Sequence, residues 1–229
     1  MHTFPILAPI APLDLLDGWI VTVSELERIT VQLLGPLSGG WVRQGDNFVR
    51  IAGGVKYGAS ARKLDAELSA LSTEAKRISA DGSPVAILRA AAFYHLRFEN
   101  IHPLCEANGR IGRVILAGQL QQSLRIPMAN TLNGLKDWEA DYKRLFATNN
   151  PPVMFELLLD LLSRITGIPV GPEDSKLPAS IEPLHPQKNV PKNVPRLHPE
   201  EGMKNPELVK KFAQQTRPPQ RNNYYRKFG

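Results

Sequence analysis

The stretch "NIHPLCEANGRIGRVIL", residues 100–116, decides how this sequence is interpreted. It places a histidine, a carboxylate, an Asn-Gly pair and two arginines just ahead of an apolar helical pattern. These residues are His102, Glu106, Asn108, Gly109, Arg110 and Arg113. The N-terminus of the helix that follows the Asn-Gly pair presents unpaired backbone N–H groups and a positive dipole end, which together form a ready anion site. The pattern is typical of a site for a phosphorylated ligand.

The residue types in this stretch have complementary chemistry. Gly109 lets the backbone come close to phosphate oxygens, and Arg110 and Arg113 share one helix face on which both could fork onto a phosphate. Glu106 would be repelled by the same phosphates unless a divalent cation lay between them, and one carboxylate plus phosphate oxygens is typical Mg²⁺ ligation. His102 could accept a proton from an incoming hydroxyl. The assembled pattern predicts phosphoryl-type transfer from a Mg²⁺–nucleotide to a hydroxyl.

Structural roles explain the same residues without any ligand. Asn108 would cap the helix, Gly109 would serve a turn, the arginines would form a solvated face, and His102 would be a hydrogen-bonded loop residue. The spacing of these residues alone supports this structural interpretation about as well as the functional one. The sequence has no GxxxxGK[ST] motif, so the site is not a P-loop. We expect His95, inside an apolar helix, to be structural, and nothing near Cys105 makes its thiol a nucleophile.

Apolar periodicity predicts an all-α fold with one small hairpin. Ser83-Pro84 reads as an N-cap followed by proline at the first helical position. Helices are expected at residues 23–34, 61–79, 85–99, 110–124, 138–147 and 153–165. The segment "GDNFVRIAGGVKYG", residues 45–58, predicts a hairpin that turns at Gly53-Gly54 and leans on the helices.

Length and composition predict one domain with an appendage. The 229 residues are 42% apolar, which is enough for a core. Residues 1–171 are expected to form the helical domain, and residues 172–229 a proline-rich, disordered tail that contains the repeat "KNVPKNVP". From Lys176 onward there are 11 Lys/Arg against 4 Asp/Glu, so the net charge of +6 belongs to the tail. The tail is interpreted as a basic linker, an export signal or, less favoured, a nucleic-acid-binding segment in which Tyr224 and Tyr225 stack on bases.

Sequence features also bear on the compartment. No run of eighteen apolar residues occurs, so no membrane span is expected. The N-terminus lacks a basic segment ahead of its short apolar run, which disfavours a secretory signal. Cys105 is the single cysteine, which excludes an internal disulfide. We expect a cytoplasmic protein, with export or delivery into a host cell as the alternative.

The segment "HPLCEANGRIGR" resembles the signature of the Fic family, H-P-F-x-[D/E]-[G/A]-N-G-R-x-x-R. Its context agrees, because "AAAFYHLRFENIHP" resembles the helix that precedes the family motif and "DYKRLFATNNPPVMFELLLDLL" resembles the segment that closes the helical core. The resemblance covers roughly residues 41–165. It implies a mainly helical Fic-type domain with a small β-hairpin flap.

The resemblance also implies an activity, the transfer of AMP from ATP to a Ser, Thr or Tyr hydroxyl of a target protein. His102 would be the base and Glu106 would hold Mg²⁺. The donor's phosphates would be bound by Asn108, Gly109, Arg110 and Arg113. The hairpin would register the target segment by backbone pairing through Val49, Arg50 and Ile51. A bacterial toxin or effector role follows from the family's habit.

Two departures from the family pattern matter. Leu104 replaces a phenylalanine that looks like the loop's apolar anchor, which could loosen the loop. Ala107 is the less common variant of a glycine and is found in relatives resembling the Doc branch, whose members transfer phosphate. The Lys usual in that branch is absent and Arg113 is kept, so AMP transfer stays ahead. A nonenzymatic, degenerate Fic-type module with a partner-binding tail is the competing class.

Restraint of activity is not visible in the sequence. Many family members carry [S/T]-x-x-x-E-[G/N], whose glutamate blocks the second arginine. Glu99 and Glu201 are each followed by a suitable residue, but His95 and Leu197 stand where Ser or Thr is needed. We therefore expect a separate small antitoxin-like partner or some other means of control.

Overall fold

The structure is a computed structural model, and it describes residues 19, 22–34, 42–43, 48–51, 54–105, 107–148 and 150–178. These residues form seven helices and one pair of short strands, which confirms the expected mainly helical fold. The elements are α1 Val23–Leu34, β1 Phe48–Ile51, β2 Gly54–Tyr57, α2 Leu64–Ile78, α3 Pro84–Ile101, α4 Asn108–Leu124, α5 Met128–Asp137, α6 Glu139–Ala147 and α7 Pro151–Thr166. A single 3-10 turn, Ala61–Lys63, leads into α2.

Helix α3 is the centre of the fold and begins as the sequence predicts. The Ser83 hydroxyl accepts a hydrogen bond from the Ala86 N–H at 3.1 Å, and Pro84 occupies the first helical position. Twelve of the eighteen residues of α3 are buried, so the helix is apolar on nearly every side. Such a helix must be covered all round, and α2, α4 and α7 pack against it.

Helices α3 and α4 cross closely enough to need a glycine between them. A Cβ at Gly112 would lie 3.2 Å from the Phe98 ring and 3.2 Å from the His95 ring. Both rings are buried in α3. The close crossing brings the C-terminal end of α3 and the N-terminal end of α4, the two ends of the motif, into one corner of the domain.

The predicted helices are confirmed to within a few residues at each end, but α5 is an addition. Its sequence, "MANTLNGLKD", contains two asparagines, a threonine and a glycine, all weak helix formers, so propensity gave no signal. Packing stabilises it instead, because α4 and α7 both contact α5. At Gly134 a Cβ would lie within 2.8 Å of the Ile165 side chain, so only glycine fits there without a shift.

The strands β1 and β2 pair antiparallel, with Phe48 opposite Tyr57 and Ile51 opposite Gly54. Gly53, where the turn is expected, lies outside the described residues, and the hairpin's role as a flap stays a prediction.

The chain keeps contact with the helices beyond α7. The Arg89 guanidinium donates to the carbonyl of Lys176 at 3.2 Å and lies 3.8 Å from the Asp174 carboxylate. Leu177 packs against the core. Residues 179–229, which include most of the predicted tail, lie outside the described residues, so the expected boundary at residue 171 stays a prediction. None of the helices in the described part is long and apolar enough to cross a membrane.

Candidate functional site

The site begins where α3 ends, in residues 101–104, which we call the histidine turn. His102 adopts the left-handed conformation, with φ 51° and ψ 60°, and its N–H donates to the Phe98 carbonyl at 2.9 Å. Pro103 follows, and the residue before a proline is disfavoured in the right-handed helical region. The sequence therefore stops α3 at His102 and turns its side chain away from the helix path.

The His102 imidazole is fixed in one tautomer. Its Nδ1 lies 3.2 Å from the backbone carbonyl of Glu99, and because a carbonyl only accepts, Nδ1 carries the proton. Nε2 is then left with its lone pair. Burial lowers the pKa of His102 to about 4; the bond to the Glu99 carbonyl opposes this and the nearby Arg43 cation adds to it. The imidazole is therefore neutral at physiological pH, which is the form that a general base requires.

The loop between the two helices is closed by the Asn108 side chain. Its Oδ1 accepts from the Leu104 N–H at 2.9 Å, and its Nδ2 donates to the Leu104 carbonyl at 2.8 Å. Leu104 is fully buried and forms an antiparallel bridge with Val42. Leu104 thus serves as a buried apolar anchor for the loop at the position where the motif usually has phenylalanine. With its side chain committed to the loop, Asn108 retains its backbone N–H to offer an anion.

Ala107 occupies a position better suited to glycine. It precedes α4 with φ 65° and ψ 12°, the left-handed region, where a Cβ costs about 1 kcal/mol. The family's usual glycine at this position thus has a physical reason. Cys105 is exposed, and Glu106, the predicted Mg²⁺ ligand, lies outside the described residues.

The first turn of α4 supplies donors and cations. The N–H groups at a helix start lack intrahelical partners, and they carry the positive end of the helix dipole. The Nη1 atom of Arg113 lies 3.5 Å from where a Cβ of Gly109 would stand, so the guanidinium folds back over this turn. It also lies over the Tyr142 ring, 5.4 Å from its centroid. Arg110, by contrast, is exposed to solvent.

A buried carboxyl, Glu99, faces the same turn from α3. The residue as a whole is partly exposed, but its Oε1 is fully buried and has no hydrogen-bond partner. This atom lies 2.5 Å from the Cβ position of Gly112 and 3.9 Å from that of Gly109, so the carboxyl fills space that the two glycines leave. Burial raises the pKa of Glu99 to about 7, and attraction to Arg113 only partly offsets it. Perturbed carboxyls of this kind are frequent at functional sites, and they also occur in purely structural networks.

His95 forms the wall behind Arg113, in the structural role expected of it. Its Nε2 lies 2.7 Å from the hydroxyl of Tyr142, and both side chains are buried. Burial lowers the pKa of His95 to about 4, so the ring is uncharged at neutral pH. The pair keeps the Tyr142 ring in place beneath the Arg113 guanidinium.

The structure places four of the nine predicted site residues close together, and their roles stay predictions. His102, Asn108, Gly109 and Arg113 share the corner where α3 meets α4, and Arg110 stands exposed on the first turn of α4. The side chains of Val49, Arg50 and Ile51, predicted to dock a target, are outside what is described. No cluster of three or more metal-binding side chains occurs among the described residues.

Sequence reasoning missed three contributors, Arg43, Glu99 and Tyr142. Glu99 was weighed only against a regulatory motif that it fails to fit. Its place at the end of an apolar helix, three residues before the histidine, was the available signal. Arg43 and Tyr142 carry no local signal, because their roles depend on contacts across the fold.

Fold and site together define a helical domain in which a histidine turn precedes an open helix N-terminus. The Fic/DOC family model matches residues 20–120, which supports a Fic domain in this part of the chain. Members of this family are commonly transferases. No curated protein and no solved structure matches the chain.

Proposed function

We propose that this protein is a protein adenylyltransferase that moves AMP from Mg²⁺–ATP to a Ser, Thr or Tyr hydroxyl of a target protein. One observation carries the proposal, the juxtaposition of a neutral, tautomerically fixed His102 with the first turn of α4 and its folded-back Arg113. A base beside a phosphate-binding helix end is what transfer from a nucleotide to a hydroxyl requires.

In this reaction His102 acts on the target hydroxyl, and the first turn of α4 acts on the nucleotide phosphates. The target hydroxyl gives its proton to Nε2 of His102, its oxygen bonds to the α-phosphorus, and the bond to the departing pyrophosphate breaks. The backbone N–H groups of Asn108 and Gly109, with Arg110 and Arg113, bind the phosphate oxygens and stabilise the charge that develops there.

Magnesium fits the residue types of the motif. Mg²⁺ is usually held by one or two carboxylates together with substrate phosphates rather than by an all-protein cage. Glu106 would be that carboxylate, and the ion would neutralise phosphate charge next to the arginines.

The hairpin is proposed as the target's docking edge. Among the described residues each strand of the hairpin pairs on one side only, and an unpaired strand edge is a template for another chain. A target segment adding to β1 would present its hydroxyl by backbone register, largely independent of sequence. This explains how one enzyme could serve a toxin or effector role without a sequence-specific groove.

Phosphate transfer is the second candidate function, and Ala107 is the observation that supports it. Its left-handed backbone places a methyl group where the family's usual glycine has none, directly before the phosphate-binding turn. A shift of the bound nucleotide would expose the γ-phosphorus instead of the α-phosphorus. The nonenzymatic alternative is less supported, because Leu104 is buried and the loop is closed.

One experiment separates these candidates. Purified protein with Mg²⁺ is incubated with bacterial lysate and ATP labelled at either the α- or the γ-phosphate, with His102→Ala as the control. We expect a protein band labelled from the α-position only and absent with His102→Ala. Label from the γ-position only would establish phosphate transfer. No histidine-dependent label from ATP or another nucleotide would favour the nonenzymatic module.

A further inference from the structure

The C-terminal end of α3 needs hydrogen-bond donors that its own helix does not supply. The last carbonyls of a helix lack intrahelical donors, and His102 sits in a left-handed conformation that costs a non-glycine residue about 1–3 kcal/mol. Such a conformation persists only when its surroundings fix it. The histidine turn therefore needs donors from elsewhere in the fold.

A buried arginine supplies those donors. Arg43 is 3% exposed, and its guanidinium donates to three carbonyls. Its Nε reaches the carbonyl of His102 at 2.5 Å, and its Nη2 reaches the carbonyls of Ile101 at 3.1 Å and Ala59 at 2.6 Å. These carbonyl dipoles and the negative end of the α3 dipole contribute to stabilising the buried cation.

Backbone hydrogen bonds also connect the histidine turn to the segments before and after the hairpin. Before the hairpin, the Arg43 N–H donates to the Pro103 carbonyl at 2.9 Å. After it, the Ala59 N–H donates to the Ile101 carbonyl at 3.1 Å. Packing is tight here, since a Cβ at Gly58 would lie 2.8 Å from the Ile101 carbonyl oxygen and 2.9 Å from Nη2 of Arg43.

We propose that Arg43 is a positioning residue, which fixes the His102 peptide through its guanidinium and holds it in register with the two stems of the hairpin. The role of His102 as base rests on the proposed function. The set of Arg43 hydrogen bonds to the carbonyls of His102, Ile101 and Ala59, which we call the arginine clamp, rests on the contacts above. A planar guanidinium that serves three carbonyls at once cannot be replaced by a lysine, whose ammonium is a single point of charge.

The charge of Arg43 also favours the neutral form of His102, which is the form that a base requires. Among the described residues, the cation acting on His102 is Arg43, and the group bonded to its ring is the Glu99 carbonyl. Burial is the main cause of the low His102 pKa and the Arg43 cation adds to it, so removing the cation should raise that pKa only modestly. Arg43 therefore positions the base and adds to the effect of burial, which keeps the imidazole neutral.

Two substitutions, Arg43→Lys and Arg43→Gln, test the proposal in the full chain. Arg62→Gln is the matched control, since Arg62 is an exposed arginine in the 3-10 turn after the hairpin. Transfer kinetics are measured with labelled ATP, and the His102 ring is followed by NMR through its tautomer signals and its titration. Circular dichroism checks that each variant is folded, and if Arg43→Gln does not fold, Arg43→Lys carries the test.

We expect kcat to fall at least about tenfold in both Arg43 variants, because small misplacements of a base are costly, while KM for ATP changes less than about twofold. The NMR signals should show a changed tautomer balance in both variants and a raised His102 pKa in Arg43→Gln, with no change in the control. A folded Arg43 variant with unchanged kcat and unchanged His102 signals overturns the proposal. If the wild-type protein transfers nothing from ATP, the proposed function fails, and the NMR comparison alone decides the role of Arg43.

Discussion

Replacing Glu99 with glutamine should make the protein more stable at neutral pH but not at acidic pH. The carboxyl is buried beside Gly112 without a hydrogen-bond partner for Oε1, and burial raises its pKa from 4.5 to about 7. Glutamine has nearly the same shape and stays neutral at every pH. Glu99→Gln therefore removes only the cost of burying the charge.

The magnitude follows from proton linkage. Below pH 4.5 the carboxyl is protonated in both the folded and the unfolded state, so it contributes no pH dependence. Between pH 4.5 and about 7 the unfolded chain has released the proton that the folded protein keeps, so the free energy of unfolding falls as pH rises. One pKa unit corresponds to about 1.4 kcal/mol, so the full penalty above pH 7 is about 3 kcal/mol.

Urea denaturation followed by circular dichroism at pH 4.5, 6 and 8 measures this directly. The free energy of unfolding of Glu99→Gln minus that of the wild type should grow by about 3 kcal/mol from the lowest to the highest pH. Glu156→Gln, at an exposed position on α7, is the control and should show no such growth. A difference that is independent of pH, or that shrinks as pH rises, would refute the assignment of Glu99 as a buried carboxyl with a raised pKa.

Three further predictions concern the framework and the base. Ser83→Ala removes the hydroxyl that accepts from Ala86 N–H and should lower the free energy of unfolding by about 1 kcal/mol in urea, whereas an unchanged midpoint would contradict the cap. Asn108→Ala leaves the buried N–H and carbonyl of Leu104 unpaired and should cost about 2–4 kcal/mol in the same assay; a loss below 1 kcal/mol would argue against loop closure by Asn108. Because burial lowers the pKa of His102 to about 4, the acid limb of the transfer rate should lie near pH 4; a limb near 6.5 would indicate a solvated imidazole.

The sequence predicted those parts of the fold that short stretches of residues specify, such as helix caps and periodic apolar faces. Ser83-Pro84 marks a helix start by capping chemistry, and the start of α4 follows from Asn108-Gly109. Helix α5 was not predicted because two asparagines, a threonine and a glycine interrupt its helix-forming residues, and its packing against α4 and α7 cannot be seen in the sequence. Local sequence reasoning finds caps and periodic faces, but not helices that exist through their neighbours.

The candidate site divides in the same way. The motif predicted His102, the Asn-Gly helix start and the arginines because their spacing in the chain is short. Arg43 acts across 59 residues of sequence, so no local pattern could reveal it. Glu99 lies close in sequence, but its buried carboxyl depends on the crossing of α3 and α4 at Gly112.

The most direct test of the central claim is the mass of the group attached to a target protein. A target isolated from lysate after incubation with the protein, Mg²⁺ and ATP is analysed by mass spectrometry, with the His102→Ala variant in parallel. The account predicts AMP on a Ser, Thr or Tyr side chain with the wild type and no modification with the variant. Phosphate in place of AMP, or AMP that persists with His102→Ala, would contradict it.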